Sequence, residues 1–218
     1  MTNVNQYGWK ALIGSAVGYA MDGFDLLILG FMLSAISADL NLTPAQSGSL
    51  VTWTLIGAVV GGIVFGALSD RYGRVRVLTW TIVLFAVFTG LCAIAQGYWD
   101  LLIYRTIAGI GLGGEFGIGM ALAIEAWPAK HRAKAASYVA LGWQVGVLAA
   151  ALLTPVLLPH IGWRGMFVVG IFPAFVAWYL RTRLHEPEIF SQKQTELSTL
   201  KISKLESFKL LVKDKATT

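Results

Sequence analysis

The sequence predicts an all-α membrane protein, and three observations carry that expectation. Of 218 residues, 56% are hydrophobic and 13% charged, about half the charged share of an ordinary soluble domain. Mean hydropathy is +0.66. The apolar residues also run in continuous stretches suited to spans of about 20 residues, whereas an outer-membrane barrel would show alternation over segments of about ten residues. The one cysteine, Cys92, excludes an intramolecular disulfide, and three histidines without a cysteine partner give no zinc spacing. No metal, nucleotide or haem site is visible, so no cofactor is expected.

Six segments qualify as spans: Ala11 to Ser37, Ser47 to Leu68, Val77 to Ala95, Leu101 to Ile124, Ala135 to Leu158 and Gly165 to Leu180. The first is long, and Asp22 and Asp25 interrupt it, which argues against a cleaved secretory signal. The last is short, but Arg181 and Arg183 can snorkel to the surface. These segments set the expected organisation: an N-terminus over 1–10, a six-helix bundle over 11–184 and a tail over 185–218.

Orientation follows from the basic residues, because cytoplasmic connections carry the excess of Lys and Arg. Lys10, then Arg71, Arg74 and Arg76, then Lys130, Arg132 and Lys134, and finally Arg181, Arg183 and six further lysines all fall on one side. The opposite loops, Ala38 to Gln46 and Gln96 to Asp100, hold no basic residue, and Pro159 to Arg164 holds one. Both termini are therefore expected in the cytoplasm. The net charge of +5 reads as a topology signal, not as a nucleic-acid footprint. In the polar tail, Leu197, Leu200, Leu205, Phe208 and Val212 recur near helical spacing among lysines, as in an amphipathic helix on the cytoplasmic membrane surface or one that folds against a partner.

Charged groups inside a span cost about 2.5 to 3.5 kcal/mol each even on a lenient insertion scale, so each is a candidate functional residue. Asp22, Asp25, Arg105 and Glu115 qualify. Tyr19, Asp22 and Asp25 recur every three residues and share one helix face. Two carboxylates so close cannot both ionise cheaply in a low dielectric, which suits a group that takes up and releases a proton; the alternative is a packing pair near a break at Gly23. Counting at 1.5 Å per residue, Asp25 lies about 22 Å and Arg105 about 21 Å from the cytoplasmic end, so the two are nearly level. Arg105 could exchange an aspartate partner for a substrate carboxylate, or form a fixed structural pair. Glu115 could relay protons or pair with a neighbouring helix. Gln144, in mid-span, could contact substrate or bond across helices. The spacing Gly109, Gly113, Gly117 permits close helix approach; no strand precedes it, which removes a dinucleotide-binding reading.

The loop Gly66-Ala67-Leu68-Ser69-Asp70-Arg71-Tyr72-Gly73-Arg74-Val75-Arg76 resembles the pattern G-x-L-(A/S)-D-R-x-G-R-(K/R) of the major facilitator superfamily, with Val75 and Arg76 at its basic end. Arg105-x-x-x-Gly109-x-Gly111-x-Gly113, Glu125-x-x-Pro128-x-x-x-Arg132 and Asp22-Gly23-Phe24-Asp25 agree with it. Together with Gly113 to Gly117, Ile124 to Pro128 and Gly162-Trp163-Arg164, they look like the proton-coupled sialate and aromatic-acid symporters of that superfamily. The resemblance covers roughly residues 10 to 190.

The resemblance implies one six-helix half, a 3+3 repeat, of a twelve-helix fold whose substrate site lies between halves. It implies a cytoplasmic gate of Asp70, Arg71, Arg74, Glu125 and Arg132. The expected function is the amino-terminal half of a symporter for an organic anion such as a sugar acid or aromatic carboxylate, in a bacterial inner membrane. It has no enzymatic role; its partners are protons, the lipid bilayer and the other six-helix half or a second copy. Asp22, Asp25 and Glu115 are expected to carry the proton, and Arg105, Tyr19 and Gln144 to meet the substrate. A truncated fragment that does not transport, a half-transporter active as a dimer, and a neutral sugar as substrate are the alternatives.

Overall fold

The computed structural model describes residues 6–182. The tail helix expected over 196–212, and Arg183, lie outside the described residues. Five helices form the described chain: α1 (Gln6–Leu40), α2 (Pro44–Tyr72), α3 (Arg74–Cys92), α4 (Tyr98–Glu125) and α5 (Arg132–Thr182), with a 3-10 turn at Ala129–His131 before α5. All five are long and apolar enough to cross a membrane.

Six helices were expected and five are continuous, because the last two spans merge. At about 1.5 Å per residue, the 51 residues of α5 would reach far beyond a hydrocarbon core about 30 Å thick. Gly162, with φ 65° and ψ 177°, breaks the helix into limbs 132–161 and 163–182. The first limb runs parallel to α1, with Gly142 against Ala16 and Gly146 against Ala20. The second limb runs back, Trp163 meeting Asp39 at one end of α1 and Gly170 meeting Ile28 further along. The fold therefore has six crossings, and the loop expected over Pro159 to Arg164 is one residue of reversed backbone that glycine alone adopts readily.

Helix ends follow local sequence. Thr43, Pro44 and Gln46 start α2 with a capping box: the Thr43 side chain accepts from the Gln46 amide at 3.3 Å, and the Thr43 amide donates to Gln46 Oε1 at 2.9 Å. Gly73, at φ 103°, ends α2 and starts α3. Every helix is longer than the apolar run that predicted it, except α3, which stops at Cys92, because polar flanking residues continue the backbone bonds.

In lipid, packing depends on close approach more than on the hydrophobic effect. In the α2–α4 contact, Gly57 faces the Thr106 carbonyl, Gly61 that of Ile110, Gly109 that of Thr54 and Gly113 that of Ala58. Exchanging the first three crossings with the last three turns the α1–α5 contact into the α4–α2 contact, the relation an inverted 3+3 repeat requires. Outward positions such as Ile63 of α2 and Val83 and Val87 of α3 are exposed aliphatics, as a lipid-facing surface demands. Gly23 does not break α1; the helix continues through it with the Trp143 backbone close by.

Candidate functional site

Among the described residues, the bundle interior holds two centres of buried charge. In the first, Arg105 of α4 donates to both carboxylate oxygens of Asp25 of α1, from Nη1 at 3.1 Å and from Nη2 at 2.8 Å. Both side chains have zero exposure. Such a fork-on-fork pair is the geometry in which a guanidinium holds a carboxylate most specifically. Phe167 of the second limb places its ring 5.7 Å from the guanidinium carbon, a cation–π distance. From α3, buried Cys92 lies near the guanidinium, and its thiol donates to the Phe88 carbonyl at 3.2 Å. Thr89, one turn away, is fully buried. Gly170 leaves the space beside Asp25 that a larger residue would fill. The level depths counted in the sequence are thus realised as a direct pair.

In the second centre, the Tyr19 hydroxyl donates to the Phe116 carbonyl at 2.8 Å, and its ring stacks on Phe116 at 4.5 Å and 21°. Asp22 and Glu115, both fully buried, lie near Tyr19. Trp143 of α5 sets its ring at 89° to Phe116, with centroids 6.0 Å apart. The Tyr19, Asp22 and Asp25 stripe thus serves both centres, Asp25 turning to Arg105 and Tyr19 to the Phe116 backbone, with Asp22 near Tyr19. Gln144 is exposed and makes no hydrogen bond among the described residues, so the interhelical bond considered for it is not formed here. An apolar cavity of about 270 Å³ between α1 and α5, lined in part by Val17, Phe24, Val145 and Val169, has no charged residue in its lining.

Of the expected gate residues, Arg74 and Glu125 meet most closely, at 2.7 Å through both Nη2 and Nε. Asp70 lies 3.6 Å from Arg74, and Arg71 covers the Tyr72 ring at 5.3 Å. Arg132 is not drawn in: it opens α5 in an exposed position without an ion pair among the described residues, since the 3-10 turn carries it past Glu125. At the other end, the sequence reading missed a cluster. Arg164 donates to Asp39 at 2.6 Å and to the Ala95 carbonyl at 3.1 Å, while Trp163 donates to Asp39 at 3.1 Å. Gly162-Trp163-Arg164 was visible as a motif, but its acceptor 124 residues away was not. Cys92, Phe167 and Phe116 were missed as well, since apolar side chains in apolar spans give no signal of which face meets a charge.

The profile of the Major Facilitator Superfamily matches residues 15–217. The chain belongs to this family. Membership makes it a multi-pass membrane protein of a transporter family and not an enzyme. Over 220 residues it is 88% identical to a Haemophilus influenzae protein whose name assigns it to metabolite transport, covering 100% of this chain and 54% of that one. It is 34% identical to the sialic acid transporter NanX of Escherichia coli, over 90% of this chain and 49% of that one. It is also 34% identical to a cis,cis-muconate transport protein of Acinetobacter baylyi, over 98% and 52%. The chain therefore spans about half the length of these relatives. In fold it is similar to the E. coli xylose transporter XylE in a partially occluded inward-open conformation, with a TM-score of 0.77 at 23% identity, over 87% of this chain and 51% of that one.

Proposed function

We propose that this bundle is the amino-terminal half of a proton-coupled importer of an organic anion, seated in the inner membrane with both termini in the cytoplasm. It works against a second six-helix bundle, supplied by further sequence or by another copy. The observation that carries the reading is the Asp25–Arg105 pair, two opposite charges with no exposure in the middle of a membrane bundle. A proton placed on Asp25 turns an acceptor-only carboxylate into a weaker partner, and Arg105 is then held less firmly. Arg105 is unexposed while the pair is closed, so it meets a substrate carboxylate only after that loosening. Asp22, one turn before Asp25 on α1, and Glu115 on α4 provide further buried proton acceptors. Relatives named for sialic acid and muconate, both carboxylates, support an anionic substrate, with Arg74, Glu125 and Asp70 closing the cytoplasmic end.

Uptake of radiolabelled organic acids, driven by an inward proton gradient in cells that express the protein, tests this. Asp25→Asn keeps the size of the side chain and one acceptor oxygen but removes its charge cycle, so uphill accumulation is expected to vanish while exchange persists. Unchanged uphill uptake would remove Asp25 from coupling.

A further inference from the structure

Phe116 is 45% exposed although its ring is held on two sides. Tyr19 covers one face in a stack, and the same tyrosine is pinned by its bond to the Phe116 carbonyl. Trp143 stands at a right angle to the ring. The exposed part of the ring is thus an aromatic surface held in a corner, and a ring fixed beforehand loses little freedom when something stacks on it. Beside it the backbone of Gly117 has open space, with nothing within 4 Å of an added Cβ. Next in the chain to Trp143 stands Gln144, whose exposed amide carries two N–H donors.

A mid-span amide is costly against hydrocarbon, so the surface that bears Gln144 is not simply lipid-facing. An exposed aromatic ring and an exposed amide on the helix that walls it fit a planar, conjugated carboxylate: the π-system would lie on Phe116 and the carboxylate would accept from Gln144. A puckered polyhydroxylated acid would leave that face poorly covered. We propose that Phe116, walled by Trp143, is the specificity-determining surface of the substrate site and that it selects planar conjugated acids. This rests on the import of organic anions proposed above and narrows the substrate class. Phe116 touches substrate and not the proton, so its substitution acts on discrimination between ligands and leaves the coupling charges in place.

The test is photolabelling of the purified full chain in nanodiscs with 4-azidobenzoate, followed by peptide mapping and competition. Saturable labelling is expected within 113–119 or 140–147. Benzoate should displace the probe at about two- to tenfold lower concentration than cyclohexanecarboxylate, the gain expected of an aromatic stack. Phe116→Leu should erase that difference and Phe116→Tyr should keep it. Gly117→Leu, which meets nothing in the bundle, should block labelling with the helices intact and decides the matter if Phe116→Leu does not fold. Labelling confined to other peptides, as for a face covered by lipid or by the second bundle, would overturn the proposal, as would equal displacement by the two acids. Proton-driven accumulation measured in parallel separates the readings: its absence with labelling intact removes the transport reading alone, and its presence without labelling removes the aromatic surface alone.

Discussion

Asp25 and Arg105 stand 80 positions apart in the chain and share two hydrogen bonds at a site that neither exposes. The pair closes α1 onto α4 across the centre of the bundle. A buried charge left without its partner is worse than no charge at all, and this asymmetry governs how the pair responds to substitution.

Asp25→Asn or Arg105→Gln alone is expected to lower stability by about 3 to 5 kcal/mol, read as a lower thermal midpoint and folded yield in detergent. The double variant should recover much of the loss. A double variant that falls by the sum of the two single losses would show that the residues act independently.

The glycine contacts predict a sharp split among glycines of similar sequence setting. Gly113→Val and Gly146→Val push a side chain onto the backbone of Ala58 and Ala20, and overpacking of this kind costs about 1 to 3 kcal/mol or more. Gly48→Ala and Gly66→Ala meet nothing and should be neutral or stabilising by about 0.4 to 1 kcal/mol, since alanine has less backbone freedom to lose. Thermal midpoints of the four variants give the comparison.

The sequence made the span count and the level of the buried charges legible, because hydropathy and rise per residue act along one helix at a time. It did not reveal that Phe167 and Cys92 complete the Arg105 site, since that depends on how helices rotate against one another. The reversal between the last two spans is expected as a loop over Pro159 to Arg164, the gap between two apolar segments, yet one positive-φ glycine suffices. Gln144 was judged from depth alone, and depth does not say which way a side chain turns.

Gly162→Ala tests the reversal. A residue with a Cβ at φ 65° and ψ 177° sits in a region open essentially to glycine, at a cost of about 1 to 3 kcal/mol. A lower thermal midpoint is expected for Gly162→Ala, with no comparable change for Gly97→Ala, where φ is −159°.

The partly exposed pair at the opposite end should matter less for stability. Arg74→Gln or Glu125→Gln is expected to cost about 1 kcal/mol or less and Asp70→Asn still less, because solvent screens these charges. Reversing both charges, Arg74→Glu with Glu125→Arg, should restore part of the loss in a double-mutant cycle.

Orientation can be read with thiol reagents, because the natural thiol, Cys92, is buried and gives a silent background. Asn41→Cys should react with a membrane-impermeant maleimide from outside intact cells, and Lys130→Cys only after permeabilisation. The reverse pattern would invert the proposed topology.

The paired glycines also limit how this bundle can move. Where Gly61 and Gly113 let one helix touch the carbonyls of the next, a slide of even one residue would bring a side chain into a space that holds none. The α2–α4 contact and the contact of α1 with the first limb of α5 are therefore keyed like teeth, which blocks one helix from sliding along its mate. In the import cycle proposed above, shape change falls to contacts without such teeth, the charge pairs among them, so the chemistry that opens a charge pair would also set the keyed helices in motion.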